Sequence, residues 1–134
     1  MERWLESFTE EQFVEIHRLM INEWWCHSRS LADVRAVIAG SDLSVAALDE
    51  EGRVNAFARV LTDGIFKAVL FDVIVRPDSR DTGLGRRLVD HVLLHPAIAH
   101  VAAVELYCPD RISGFYTSMG FDVSESRLHR RVRS

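Results

Sequence analysis

The chain has 134 residues and a mass of 15.3 kDa, which suits one domain spanning 1–134 and would leave two domains each short of a core. Hydrophobic residues at 48% and charged residues at 27% are the makeup of a folded globular protein and exclude a disordered or low-complexity chain. A formal net charge of −4 with a pI near 5.8 argues against attachment to nucleic acid or to an anionic membrane.

Trp4 to Phe8 reads as a short edge strand. Phe13, Ile16, His17, Met20, Ile21 and Trp24 recur at intervals of three and four, which predicts an amphipathic helix over Glu10 to Trp25. Ser30-Leu31-Ala32-Asp33 has the form of a capping box, followed by a stripe of Leu31, Val34, Val37 and Ile38 and a stop at Gly40. Leu43 to Leu48 and Val54 to Leu61 are strand-like, and Asp49-Glu50-Glu51-Gly52 between them makes a hairpin. Thr62-Asp63-Gly64 gives the next turn, and Phe66 to Val75 is a strand rich in β-branched and aromatic residues that Pro77 ends.

A helix is expected from Arg86 to Leu94, with Leu84, Leu88, Val92 and Leu94 inward and Pro96 as its close. Val101 to Tyr107 reads as a strand, and Ile112 to Met119 as a short helix with Gly120 as left-handed cap. Phe121 to Val123 begins a last strand, before a tail holding Arg127, Arg130, Arg131 and Arg133. This order predicts an α/β (α+β) domain with a mixed sheet and helices on both faces.

Location follows by elimination. The apolar run Val92 to Val104 is broken by His95, Pro96 and His100 and is shorter than the ~20 residues of a membrane span. Glu2, Arg3 and Glu6 do not fit a secretion signal. Cys26 and Cys108 form no CxxC, so two reduced thiols in a cytoplasmic protein are expected.

Charge is divided unevenly along the chain. Residues 1–74 carry seven bases and thirteen acids, whereas residues 75–134 carry nine and seven. The second half is therefore the better place for an anion.

The stretch Val73-Ile74-Val75-Arg76-Pro77-Asp78-Ser79-Arg80-Asp81-Thr82-Gly83-Leu84-Gly85-Arg86-Arg87-Leu88 carries the chemistry. A strand enters a loop with two glycines that opens directly into a helix, and the free N–H groups of a helix N-terminus bind anions. Arg86 and Arg87 in the first turn oppose the helix dipole, a placement that an arriving anion would compensate. Solvated arginines on a surface helix are the alternative. A dinucleotide fingerprint is excluded because Leu88 stands where its third small residue belongs. A P-loop is excluded because Lys67 is the only lysine.

The remaining pattern, Arg80-x-x-Gly83-x-Gly85 after a strand, resembles the coenzyme A pyrophosphate loop of the GNAT superfamily of N-acetyltransferases. Gly114-Phe115-Tyr116-Thr117-Ser118-Met119-Gly120-Phe121 resembles the Phe-Tyr-x3-Gly-Phe segment near the end of that fold. The resemblance extends from about Leu43 to Val123, and the two leading helices match the family in kind. Small bacterial members with a Trp-rich first helix and an Arg-Ser helix start are similar to Trp24-Trp25 and Arg29-Ser30 here. The resemblance implies a mostly antiparallel sheet whose splayed strands form an acetyl-CoA cleft. It further implies direct transfer of acetyl to a primary amine of a small molecule or peptide, with no metal.

In that picture Val73, Ile74 and Val75 hold pantetheine and the thioester. Arg80, Asp81, Thr82, Gly83, Leu84, Gly85, Arg86 and Arg87 form the pyrophosphate site. Tyr116 matches the family's general acid. Asp72, in an otherwise apolar strand, is either a base or substrate anchor, or the partner of an arginine such as Arg59. Glu23 and Glu105 are rival bases. His91 and His95 at i, i+4 lack a third zinc ligand and read as structural.

Asp81 stands where many members have Gly, and Asn55-Ala56 replaces a usual Gly. The last hairpin looks truncated, so a partner chain can complete the sheet edge as a homodimer. A catalytically silent acyl-CoA-binding regulatory or interaction module is the alternative function. A toxin-like enzyme acting on charged tRNA would need a basic cleft, which the acidic first half opposes.

Overall fold

A computed structural model describes residues 2–133. The elements in order are β1 (Arg3–Leu5), α1 (Glu10–Ile21), α2 (Leu31–Ala39), β2 (Leu43–Leu48), β3 (Val54–Thr62), β4 (Lys67–Val75), a 3-10 turn (Pro77–Ser79), α3 (Leu84–Leu93), β5 (Ala103–Leu106) and α4 (Asp110–Thr117). The strands form one sheet in the order β1-β2-β3-β4-β5. Every neighbouring pair is antiparallel except β4 with β5.

Helices cover both faces of this sheet. Ile16, Met20 and Val34 of α1 and α2 pack on Ala46, Leu48, Phe57 and Ile74. Leu84, Leu88, Val89 and Val92 of α3 pack on Val45, Ala47, Ala58 and Val60 of the opposite face. Alternate side chains of a strand point to opposite faces, so β2 is buried along its whole length. Double coverage is why a mostly antiparallel sheet reads as unbroken apolar runs.

Capping fixes the first two helices. Thr9 and Gln12 form a capping box on α1, and Ser30 and Asp33 form the expected one on α2, which ends at Gly40. α1, however, stops at Ile21 instead of continuing to Trp25. Beyond it the chain turns through Glu23 N–H to Met20 O and Cys26 N–H to Glu23 O. The Cys26 thiol folds back to donate to Met20 O at 3.0 Å and is buried. Cys26 thereby takes the inward place, and Trp24, expected in the buried stripe, is 66% exposed.

α3 begins at Leu84, earlier than the expected Arg86, because Gly83 in the left-handed region (φ 83°) serves as its N-cap. α4 likewise begins at Asp110 after Pro109 and ends before Met119. β1 and β5 are shorter than expected. The strand expected from Phe121 to Val123 does not form among the described residues. Phe121 N–H closes onto Tyr116 O, and residues 122–133 make no backbone–backbone hydrogen bond to another element.

Candidate active site

β4 and β5 pair from Lys67–Ala103 to Leu70–Leu106. β5 ends at Leu106, while β4 continues to Val75 and has no strand partner on that side beyond Leu70 among the described residues. On its other side β4 pairs with β3, and the register slips between Phe57–Ile74 and Arg59–Phe71. Ala58 thus faces two residues of β4, Asp72 and Val73, and Asp72 takes φ 54°. A bulge of this kind bends a strand and re-aims its side chains.

Re-aimed in this way, the Asp72 carboxylate accepts from Arg59 Nε and from an Arg29 terminal nitrogen, each at 2.7 Å on the same oxygen. The side chain of Asp72 is only 5% exposed. Burial pushes its carboxyl up, but the hydrogen bonds of Arg29 and Arg59, with their charge, outweigh burial and hold it below the usual carboxylate range. Of the two alternatives for Asp72, the arginine pair is the one that the geometry provides. A carboxylate so held is a weak proton acceptor. Arg29 was not among the expected site residues. Its only sequence signal is its place just before the Ser30 cap, which turns it back toward β4. Arg59 also lies over the Phe71 ring, 4.8 Å from its centroid.

The glycine loop carries β4 into α3. Asp81 occupies the left-handed region (φ 61°), as Gly83 does. No side chain caps α3, and the first amide bonded within the helix is that of Arg87, to Gly83 O. Of the amides expected to take an anion, those of Thr82, Gly83, Leu84, Gly85 and Arg86 make no hydrogen bond among the described residues, and that of Arg87 is spent on Gly83 O. A Cβ on Gly85 would stand 3.5 Å from Phe115 Cζ and 3.6 Å from Val75 Cγ2. That contact sets the helix start against the end of β4 and against α4.

The arginines of the loop are engaged differently from expectation. Arg80 donates through Nε to Val75 O at 3.0 Å and pairs with Glu23 at 2.8 Å. Arg86 donates to Ser118 Oγ at 2.7 Å. Arg87 grips Glu2 through two bonds of 2.8 and 3.0 Å. The charge of Arg87 at the head of the helix is thus offset by a carboxylate of the N-terminal segment, which motif spacing could not show.

Tyr116 is buried to 8% exposure on the α3 side of the sheet. Its ring stands edge-on to Phe115 and Phe121, with centroids at 4.9 and 5.8 Å. Burial, with a smaller contribution from Cys108, pushes its phenol up to about 12. The phenol is therefore protonated at all ordinary pH.

The remaining candidates are accounted for by packing and pairing. His91 stacks on Trp4 with centroids 4.5 Å apart, and His95 meets Glu6 at 2.8 Å. Glu105 pairs with Lys67 at 3.0 Å. Asn55 is buried with its side-chain oxygen unpartnered. Cys26 and Cys108 are free thiols. Among the described residues no group of three or more His, Cys, Asp or Glu is placed to hold a metal ion, and no helix is long and apolar enough to cross a membrane.

Comparison with known proteins agrees with this geometry. Residues 40–123 match the acetyltransferase (GNAT) domain family. A GNAT-family protein from Xanthomonas campestris pv. campestris is 30% identical, with a TM-score of 0.82 over 98% of this chain and 95% of that one. Serotonin N-acetyltransferase 2, chloroplastic, of Oryza sativa subsp. japonica is 38% identical over 79 residues, 59% of this chain. GCN5-related N-acetyltransferase 1, chloroplastic, of Arabidopsis thaliana is 35% identical over 66 residues, 49% of this chain. The chain spans 40% and 34% of the lengths of these two plant relatives. With more than half its length matched and its whole fold shared with a GNAT-family structure, the chain belongs to the GNAT acetyltransferase family.

Proposed function

We propose that the protein transfers an acetyl group from acetyl-CoA directly to a primary amine of a small molecule or peptide. The observation that carries this reading is the uncapped start of α3, which follows β4 through the glycine loop and lies beside Val75 and Phe115. The amides of Leu84, Gly85 and Arg86 take the pyrophosphate, with Thr82 and Gly83 shaping the turn. The backbone of Val73, Ile74 and Val75 lines the pantetheine arm, and Val75 O is shared with Arg80. Arg86 and Arg87 flank the anion and leave the direct grip to the backbone.

In the transfer step the amine nitrogen attacks the thioester carbonyl carbon, a C–N bond forms and the C–S bond breaks. The departing sulfur takes the Tyr116 phenol proton, the attacking amine loses a proton to water, and Tyr116 regains a proton from water, so that amide, free thiol and neutral phenol result. Asp72 acts as a positioning residue that holds Arg29 and Arg59 beside the bulge. A cytoplasmic location is proposed from the free thiols and the composition.

Calorimetry with acetyl-CoA, followed by thiol release against a panel of amines, tests the reading. Binding with release upholds it, and no binding at millimolar acetyl-CoA overturns it. One observation favours a catalytically silent acyl-CoA-binding module instead. Each carboxylate considered as a base (Asp72, Glu23 and Glu105) is ion-paired. Tight binding without release from any amine would select that second reading.

A further inference from the structure

Beside the bulge of β4 two arginines share one carboxylate. Arg29 and Arg59 both donate to the same oxygen of Asp72. The side chain of Arg29 is 25% exposed and that of Arg59 13%. One anion thus answers two cations, and a positive charge is left over in a half-buried place. Neighbouring acids do not cancel it. Asp33, whose charge reaches Arg29, accepts the Ser30 amide at the cap of α2, and Glu23 pairs with Arg80. The Cys26 thiol, pushed up to about 11 by burial, is neutral. A charge held away from bulk water without a partner is costly, and an anionic ligand would offset it.

Donors are left over as well. Arg29 spends one terminal nitrogen on Asp72 and Met20 Sδ. Its Nε and its other terminal nitrogen make no hydrogen bond among the described residues. A planar guanidinium fork of this kind suits a carboxylate.

The turn after α1 sets this charge against the proposed reaction segment. It is clamped to β4 twice: Arg29 meets Asp72 at 2.7 Å, and Glu23 meets Arg80, which donates to Val75 O. The turn therefore runs alongside residues 72–75, which include the stretch proposed for the thioester and lack a strand partner toward β5. Between the two clamps Trp24 and Trp25 are exposed at 66% and 43%, and open indole faces suit an apolar or aromatic group.

We propose that the acceptor amine carries a carboxylate, as a free apolar or aromatic amino acid does, and that Arg29, backed by Arg59, binds that carboxylate while the amine reaches the thioester. This substrate class rests on the acetyl-transfer reading and narrows it. The carboxylate takes no part in the bond changes. A single spare charge matches a carboxylate more closely than a doubly charged phosphate. Asp72, Glu23 and Glu105 are all engaged in ion pairs, so none is left to select an acceptor with a second ammonium. A peptide N-terminus, whose carboxyl is an amide, lacks the group that Arg29 would hold.

Calorimetry in the presence of coenzyme A reads the site through the products. N-acetylphenylalanine and N-acetylleucine are compared with N-acetylphenethylamine and N-acetylisoamylamine, which differ from them only in lacking the carboxylate. Each acid should bind at least about tenfold tighter than its neutral partner, the worth of one charge-assisted hydrogen bond. Arg29→Gln should shrink that ratio to about threefold or less, and Arg29→Lys, which keeps the charge, should restore part of it. A purely structural Arg29 would weaken both members of a pair alike and leave the ratio unmoved. The proposal is overturned if the parent binds the acids no better than the neutral compounds, or binds none of them. It is equally overturned if Arg29→Gln keeps the full ratio, and the parent comparison decides if that variant fails to fold.

Thiol release from acetyl-CoA, with phenylalanine, leucine, phenethylamine and isoamylamine as acceptors, separates this proposal from the activity beneath it. Release that favours the two amino acids in kcat/KM, by a margin that Arg29→Gln removes, upholds both. Release that favours the simple amines strikes the carboxylate site and leaves acetyl transfer standing. Arg29-dependent binding of the acids with no release from any amine strikes acetyl transfer and leaves the carboxylate site.

Discussion

Asp72 and Arg29 meet at 2.7 Å across the gap between β4 and the turn that follows α1. Forty-three residues separate them in sequence. The contact exists because the bulge turns Asp72 toward α1 and because the α2 cap sends Arg29 back over the sheet. Arg59 of β3 shares the same carboxylate oxygen, so one buried anion ties three elements together beside the bulge.

Asp72→Asn should therefore cost stability, by about 2–3 kcal/mol at pH 7. This lies toward the low side of the range for breaking a buried pair, since Arg29 keeps partial exposure. The folded carboxyl lies below its unfolded value near 3.9. Its contribution is thus present above that value and fades as pH falls through the folded one. Urea unfolding at pH 7 and near pH 3 should show the gap between variant and parent closing on acidification. A gap of equal size at both would refute the pairing as its source.

Tyr116→Phe should keep acetyl-CoA affinity and lower turnover by about tenfold or more, the usual range for losing a positioned acid. With the phenol raised to about 12, the parent should show no loss of rate from this group as pH climbs to about 10. A descending limb near pH 8 that vanishes in the variant would mean a phenol far more acidic than its buried setting allows.

Asp81 places a non-glycine residue in the left-handed region, beside the amides proposed for the pyrophosphate. Asp81→Gly relieves backbone strain of about 1 kcal/mol and removes a like charge from the anion's path. Acetyl-CoA affinity should rise by roughly three- to tenfold at low salt, and the gain should shrink in high salt as screening sets in. Calorimetry at two ionic strengths reads both effects, and unchanged affinity at low salt would show that the carboxylate points away from the ligand.

Arg87 is committed to Glu2 and is nearly half exposed. Arg87→Ala should accordingly change acetyl-CoA affinity by less than about threefold and stability by under about 1 kcal/mol. A large loss of affinity would return the Arg87 side chain to the pyrophosphate site.

Local signals served well where the physics is local. Ser30 and Asp33 cap α2 because their side chains reach amides three residues away. Gly83 marks the helix start because its backbone lies in the left-handed region that favours glycine. The apolar runs of β2, β3 and β4 located the strands to within a residue or two. The end of α1 was misread for the opposite reason: Trp24 continues the helical period, but the bond from Cys26 to Met20 O belongs to tertiary packing.

Periodicity, glycine placement and two short motifs were enough to determine the mixed sheet, the glycine loop before α3 and the position of Tyr116. Those features depend on neighbours within a few residues. What Asp72, Arg80 and Arg87 touch, and the absence of a last strand beside β5, were decided only by the tertiary structure. Each depends on a group that meets it from a distant stretch of chain or, at the β5 edge, on pairing that no segment within the described residues supplies. Pairings of that kind are set by how helices and strands pack, and spacing along one strand carries no record of them.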